Sequence, residues 1–250
     1  MNAAQNQRPS PGELVLDHVS HFVPDLEAAA GWLQRLGFVV TPRSEQRTPE
    51  GPVGAANRCV MLEEGYLEFL APTLDTPAAA RMRAALSRFV GVHLACFGTP
   101  DAEAEHRRLA THGFEPQPLV DLRRTVDEGE VRFRVVRPAP ERMPEGRIQY
   151  VEQMTPEALW TARNLAHANG VTGLKALYVV ADEAPACAAR WAHFSGLLPR
   201  RQGPLVRLDC ARGTVWIGAP AALEPLLGPV PPAPALAGYA LACRDPRALL

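Results

Sequence analysis

The first part of the chain passes from an apolar run to a helical segment and then to further short apolar runs. Residues 15–23 predict a strand, and the helix that follows starts beside Asp25, which stands where a capping residue is expected. Gly37 occupies the place where a left-handed residue commonly ends a helix. Three further strands are predicted at 38–42, 57–62 and 66–70, the last two joined by a turn at Glu64-Gly65. This part of the chain therefore has the order βαβββ.

The βαβββ pattern recurs, and an internal repeat decides a fold before any single element does. A second copy starts with a strand at 91–97, and a third runs from Gly173 through a helix to Gly196. Their later strands are predicted at 132–137, 148–153, 205–209 and 214–218. A fourth copy begins as GYALACRDPRALL and stops at Leu250. We refer to the copies as units one to four.

These units divide the chain into four segments and predict an α+β fold. Thr155 as a helix cap followed by Pro156 predicts an extra helix over about 156–168. We expect a flexible N-terminus at 1–12 and paired βαβββ units at 13–154. A linker helix is expected at 155–170, and a degenerate third unit with an incomplete fourth unit at 171–250.

The incomplete fourth unit leads to a specific expectation. A lone strand leaves its backbone groups unpaired, so we expect Gly238–Cys243 to join the sheet of unit three and 244–250 to be frayed. A unit that stops after one strand is also what a truncated version of a longer protein would show.

Three short motifs accompany these repeats. They are Pro24-Asp25-Leu26 at the first helix, Ala56-Asn57-Arg58 on a strand, and Thr155-Pro156-Glu157 with Trp160. Together with the repeats they resemble the vicinal oxygen chelate superfamily, and more narrowly its glyoxalase-like members. The resemblance implies cupped, half-open β-barrels with helices outside and a divalent metal ion within.

The resemblance also implies a set of metal ligands on the first and fourth strands of units one and two: His18, Glu68, His93 and Gln149. Each histidine stands four residues before a phenylalanine, and strand alternation lets both face the barrel interior. Gln149 departs from the common pattern, because many relatives carry a carboxylate there. Two histidines and a carboxylate suit zinc or non-haem iron, so the metal stays open among Zn, Ni, Mn and Fe.

Each candidate ligand also has a structural interpretation, because a lone strand histidine is commonly a hydrogen-bonded core residue and a lone strand glutamate lies on the solvent face. Unit three supplies an internal comparison: Lys175 occupies the histidine position and Trp216 the glutamate position. Since unit three lacks the set, the fold itself does not require it. This comparison favours the metal interpretation.

The resulting functional hypothesis is a glyoxalase-like, metal-dependent enzyme of the isomerase, lyase or dioxygenase type, acting on a small molecule with neighbouring oxygens. The metal would stabilise an enolate or oxyanion, and Glu68 would act as the catalytic base. Arg58 would bind a substrate carboxylate, although a strand-edge arginine is more often solvated. The alternative is a metal-free module of the same fold that binds or sequesters a small molecule.

Composition narrows the partners and the compartment. Lys plus Arg (26) and Asp plus Glu (27) nearly cancel, which argues against nucleic acid as a partner. Residues 121–134 carry mixed charge and predict an exposed hairpin. No apolar run is long enough for a membrane span or a signal peptide, so we expect no membrane partner and a cytoplasmic location. Paired units can close a barrel within one chain or across two, which leaves a homodimer open.

Overall fold

The computed structural model describes residues 3–126 and 129–249, and these form two sheets with helices packed outside them. Units one and two make a closed eight-stranded barrel in the order β1-β4-β3-β2-β6-β7-β8-β5. Its strands are β1 (Val15–Phe22), β2 (Ser44–Thr48), β3 (Gly51–Met61), β4 (Tyr66–Pro72), β5 (Gly91–Gly98), β6 (Val120–Val126), β7 (Gly129–Val136) and β8 (Arg147–Gln153). The α+β fold of tandem βαβββ units is confirmed.

A second sheet of five strands lies beside the barrel in the order β10-β11-β12-β9-β13. These strands are β9 (Val171–Val180), β10 (Pro199–Gln202), β11 (Leu205–Asp209), β12 (Thr214–Gly218) and β13 (Ala235–Cys243). The helices are α1 (Leu26–Arg35), α2 (Pro77–Leu86), α3 (Ala102–Thr111), α4 (Ala162–Leu165), α5 (Ala184–Ser195) and α6 (Pro220–Leu227). Among the described helices, none has both the length and the apolar character needed to cross a membrane.

The ends of the first helix form as predicted. The Asp25 carboxylate accepts hydrogen bonds from the backbone N–H groups of Glu27 and Ala28, which α1 leaves without partners inside the helix. Gly37 follows the helix with φ of 83°, a left-handed conformation that glycine adopts without a steric penalty. These local signals fix where β1 ends and where the chain turns back towards the sheet.

Two predictions about unit one and unit two strands are wrong. Residues 38–42 form no strand, because Thr41 exchanges hydrogen bonds with Cys59 through its own N–H and side chain and the regular ladder starts only after Pro42, at Ser44. Residues 121–134 do form the predicted hairpin, made by β6 and β7, but it is part of the barrel and one of its faces is buried, so the prediction of exposure is wrong for that face. Arg124 on β6 is only 3% exposed.

The predicted linker helix over 156–168 is broken into two short pieces. A 3-10 turn spans Pro156–Ala158, and α4 has four residues. The Thr155 hydroxyl does not cap a helix, since it bonds to the backbone of the β7 segment at Glu130 and Arg132. Trp160 is buried and its indole N–H donates to the carbonyl of Leu62 at 2.9 Å. These bonds to the barrel take the place of a regular helix.

The strand of unit four joins the sheet of unit three, as predicted. β13 pairs antiparallel with β9, in the way that β5 pairs with β1 in the barrel. The expected fraying is not seen at Arg244, whose backbone N–H donates to the carbonyl of Gly170 at 2.9 Å, and Pro246–Leu249 form a 3-10 turn. Leu250 lies outside the described residues.

The N-terminal segment also differs from the expectation of flexibility. Gln7 is buried, and its side chain bonds to the backbone of Ala3, Glu63 and Gly65. These bonds hold the described part of the segment against the turn between β3 and β4. Residues 1 and 2 of the predicted flexible segment lie outside the described residues.

The two sheets meet through α5 and through the outer side of β1. Trp191 and Phe194 of α5 are fully buried against the Phe97 ring of β5. On β1, the His21 ring stacks on Phe69 and hydrogen-bonds to the hydroxyl of Tyr239 at 3.0 Å. His21 therefore belongs to the packing between barrel and second sheet.

We expect the stability of this packing to fall in acid because of His21. Burial, with a smaller effect of the positive charge of His93, lowers the pKa of His21 from 6.5 to about 4. Between pH 4 and pH 6.5, His21 is therefore protonated in the unfolded chain and neutral in the folded chain. The contribution of this group to stability is complete above pH 6.5 and is lost as the pH falls towards 4. Unfolding by urea should show a loss of about 3 kcal/mol from this group.

The matched variant is His21→Phe, which keeps an aromatic ring at this position. The difference in unfolding free energy between pH 7 and pH 4 should be smaller in the variant by about 3 kcal/mol. An equal pH dependence in the two proteins would show that His21 does not become protonated on unfolding.

Candidate functional site

The barrel interior holds Glu68 and His18 side by side. β1 and β4 are parallel neighbours in which Ser20 lies opposite Glu68, and both side chains point inward. His18 Nε2 lies 3.9 Å from Glu68 Oε2, and the imidazole stacks on the Tyr66 ring with centroids 4.2 Å apart. These two predicted site residues therefore meet.

The Glu68 carboxylate is held by neutral donors on three neighbouring strands. The Ser20 hydroxyl donates to Oε2 at 2.5 Å, and the side-chain amides of Asn57 and Gln46 donate to Oε1 at 2.6 and 3.2 Å. Asn57 in turn accepts a hydrogen bond from the Arg124 guanidinium at 2.7 Å. The carboxylate is thus fixed in one orientation inside the barrel.

The Asp17 carboxylate positions the His18 ring from its other side. His18 Nδ1 donates to Asp17 Oδ1 at 2.6 Å, and Gln153 donates to both oxygens of that carboxylate. Burial by itself lowers the pKa of His18, but the Cys96 and Asp17 side chains outweigh it and hold that pKa well above the usual range. The cluster of Asp17, His18 and Glu68 is therefore a buried acid–base group.

His93 does not join this cluster, which corrects the predicted ligand set. Ser20 pairs with Leu94 and His21 pairs with Val92, so His93 is the extra residue of a β-bulge in β5. Its ring lies between Phe22 and Phe89, and its Nε2 donates to the Phe89 carbonyl at 2.8 Å. His93 lines a cavity at the mouth of the barrel and not the interior space of His18 and Glu68.

The register identifies the residue that replaces His93 in the interior. Glu68 lies opposite Ser20, and Gln149 lies opposite Cys96 on the corresponding strands of unit two. Two residues earlier on each first strand stand His18 in unit one and Leu94 in unit two. The position related to His18 by the repeat is therefore occupied by a leucine, which cannot bind a metal.

Gln149 is in the interior, as predicted, but its side chain already has partners. Its carbonyl oxygen accepts a hydrogen bond from Arg137 Nε at 3.0 Å, and its amide donates to the Cys96 sulfur at 3.7 Å. The oxygen that could bind a metal is therefore in contact with a guanidinium group.

The sequence model of the glyoxalase-like domain family matches residues 16–194, which include α5 up to Phe194 and the whole barrel except Val15. The chain belongs to the glyoxalase-like domain family. Through this family it is a member of the vicinal oxygen chelate superfamily, whose proteins typically depend on a metal. No curated protein matches its sequence.

Solved structures are similar to this glyoxalase-like protein at low sequence identity. A hypothetical protein from Staphylococcus aureus has a TM-score of 0.66 at 13% identity, covering 82% of this chain and 86% of that one. A mutant 4-hydroxymandelate synthase from Streptomyces coelicolor has a TM-score of 0.52 at 18% identity, covering 83% and 63%. A methylmalonyl-CoA epimerase from the same species, with bound 2-nitronate-propionyl-CoA, has a TM-score of 0.45 at 20% identity, covering 57% and 99%.

The interior of this glyoxalase-like barrel does not fit a divalent ion. One imidazole and one carboxylate converge, whereas protein metal sites of this class use three or four ligands. Among the described residues, no group of three or more His, Cys, Asp or Glu side chains could hold a metal. Guanidinium groups of Arg137 and Arg147 line the same space, and positive charge opposes a cation there.

Arg58, the predicted substrate-binding residue, lies outside the cavities of the barrel. Its guanidinium pairs with the Glu27 carboxylate of α1 at 2.8 Å and donates to the Thr41 carbonyl at 2.9 Å. Because side chains alternate along β3, Asn57 faces the interior and Arg58 faces the helix.

Three other arginines, Arg124, Arg137 and Arg147, are buried charged residues that the sequence analysis missed, as it also missed Asp17. Arg147 stands two residues before Gln149 on β8, so strand alternation from Gln149 was sufficient to find it. Arg124 shares a face with Leu122 of β6, and the same alternation would have placed it inward. Arg137 ends the predicted strand 132–137, and alternation from the buried Phe133 and Val135 would have placed it on the same inward face.

Proposed function

We propose that this glyoxalase-like protein binds a small organic molecule inside the barrel of units one and two without using a divalent metal. Two observations about unit two carry the proposal. Leu94 occupies the position that corresponds to His18 of unit one, and the Gln149 side chain is in contact with Arg137. The barrel keeps an enclosed polar site at Glu68 but offers a cation too few ligands.

Metal titration tests this proposal most simply. Zn²⁺, Ni²⁺, Mn²⁺ or Fe²⁺ added to chelator-treated protein should bind weakly, and His93→Ala should not change the result. The Leu94→His variant is the matched comparison, because it returns an imidazole to the position related to His18 and should bind Zn²⁺ at least about tenfold more tightly. One equivalent of tightly bound metal in the wild type, lost in His93→Ala, would contradict the proposal.

A second candidate function is proton transfer to or from the bound molecule, and the cluster of Asp17, His18 and Glu68 favours it. Asp17 orients His18, and the carboxylate of Glu68 lies within 3.9 Å of the imidazole in a space shared with the ligand site. In this function Glu68 accepts a proton from a carbon next to a carbonyl group, and His18 supports the charge that develops.

Exchange of substrate protons with heavy water distinguishes the two functions. Once a binding molecule is known, the enzyme would place deuterium at the carbon next to its carbonyl, and Glu68→Gln would bind the molecule with no exchange. A binding module would show no exchange above the rate in buffer with either protein.

A further inference from the structure

A cavity of about 250 Å³ opens at the mouth of the barrel, and its charged lining is cationic. Helix α2, the ends of β1 and β5, and the segment before β8 surround it. Arg81, Arg88, Arg137 and Arg147 line it together with His93, and none of the described lining residues is Asp or Glu. An enclosed surface with this composition favours a negatively charged group.

Arg137 and Arg147 connect this mouth cavity to the interior space. Both residues line the cavity and also the space that holds His18, Glu68 and Gln149. A group bound between the two guanidiniums would therefore stand at the junction, with the polar cluster on one side and the mouth on the other.

Arg137 and Arg147 differ from the ion-paired arginines of this protein because they lack a carboxylate partner. Arg58, Arg108 and Arg134 each pair with a glutamate, whereas within the described parts of the chain no ion pair joins Arg137 or Arg147 to an acid. Burial and then the charge of Arg147 lower the pKa of Arg137, and burial and then the charge of Arg81 lower the pKa of Arg147 to about 10. The charge of Glu68 acts on both arginines but does not balance two guanidiniums, so the cluster keeps a net positive charge that a bound anion would balance.

Most of the other side chains that line the mouth cavity are apolar. Phe22, Met82, Met143 and Ile148 contribute to its walls. An occupant that matches these walls has a carbon body as well as a charged end. A free inorganic ion would satisfy only the arginines.

We infer that the ligand of this barrel is a small organic anion, a carboxylate or phosphate monoester with an apolar body, whose anionic group is held by Arg137 and Arg147. The inference rests on the proposed function and specifies the class of molecule that the barrel binds. Arginine suits this role because its planar guanidinium forms paired hydrogen bonds with carboxylate or phosphate oxygens. In this site the two guanidiniums supply positive charge beside Glu68 and His18.

The test measures the binding of matched acids and amides by calorimetry. The probes are benzoate, phenylacetate and hexanoate, their three uncharged amides, and phenyl phosphate. The wild type should bind at least one acid at least about tenfold more tightly than its amide. A preference for carboxylates or for phenyl phosphate identifies which anionic group the site takes.

Two variants and a control variant show which arginines produce the preference for acids over amides. Arg137→Gln and Arg147→Gln should each lower acid affinity at least about tenfold and leave amide affinity unchanged. Arg107→Gln removes an exposed arginine on α3 that lines neither space and should change nothing. The acid–amide comparison on the wild type does not depend on the folding of any variant.

The inference is overturned if acids and amides bind equally, if no acid binds, or if the preference survives in both glutamine variants. Equal binding of acids and amides leaves the proposed function intact, because the barrel would still bind a small molecule. Tight metal binding that requires His18 and Glu68 removes the proposed function whether or not acids are preferred.

Discussion

Replacement of Arg124 by methionine is expected to lower the free energy of unfolding by about 3–5 kcal/mol. Arg124 is buried in the barrel and donates to Asn57, which donates in turn to Glu68. Without the guanidinium, Asn57 loses a buried hydrogen bond and the carboxylate loses the positive charge at the end of this chain of hydrogen bonds. Urea denaturation followed by circular dichroism measures the loss.

A double-mutant cycle shows whether Arg124 and Glu68 act together. Arg124→Met combined with Glu68→Gln should cost less than the sum of the two single changes, because neither charge is then buried alone. Arg123→Met is the matched control: its side chain is exposed on the same strand, and the change should stay within about 0.5 kcal/mol. Additive losses would show that the two charges are not coupled.

Trp191→Ala is expected to destabilise the protein by about 3–5 kcal/mol, because it removes one of the largest fully buried side chains. Trp191 belongs to α5 of unit three but packs edge-on against Phe97 of the barrel, with ring centroids 6.2 Å apart. Its loss should weaken the barrel and the second sheet together, so a thermal scan should show a single transition at lower temperature.

Trp32→Ala is the control for this change, since Trp32 lies on α1 and is 65% exposed. We expect its cost to stay below about 1 kcal/mol. A small loss in Trp191→Ala, or separate unfolding of the two sheets in that variant, would contradict the account of α5 as the element that joins them.

Local signals in the sequence were sufficient for much of the fold. Asp25 and Gly37 mark the ends of α1, and the βαβββ repeats predict the order of strands and helices along the chain. The strand at 38–42 could not be excluded from sequence, because FVVTP has the composition of a strand. The strand begins at Ser44 instead because Thr41 is hydrogen-bonded to Cys59, a contact that only the folded barrel provides.

The candidate site was only partly predictable because side-chain direction depends on single-residue register. His18 and Glu68 were found since β1 and β4 are regular over these positions. The bulge at His93 shifts the register of β5 by one residue, and such a shift turns a side chain away from the face that the alternation predicts. The same limit applies to Arg58, for which the sequence could not say whether it or Asn57 faces inward.

We propose that arginines, and not a metal ion, provide the positive charge of this glyoxalase-like barrel. Anomalous diffraction from crystals soaked with Zn²⁺ and 4-bromobenzoate tests it, with data collected at the absorption edges of zinc and bromine. We expect a bromine peak in the mouth cavity, with the carboxylate on Arg137 and Arg147, and no zinc peak beside His18. A zinc peak bonded to both His18 and Glu68 would contradict the account.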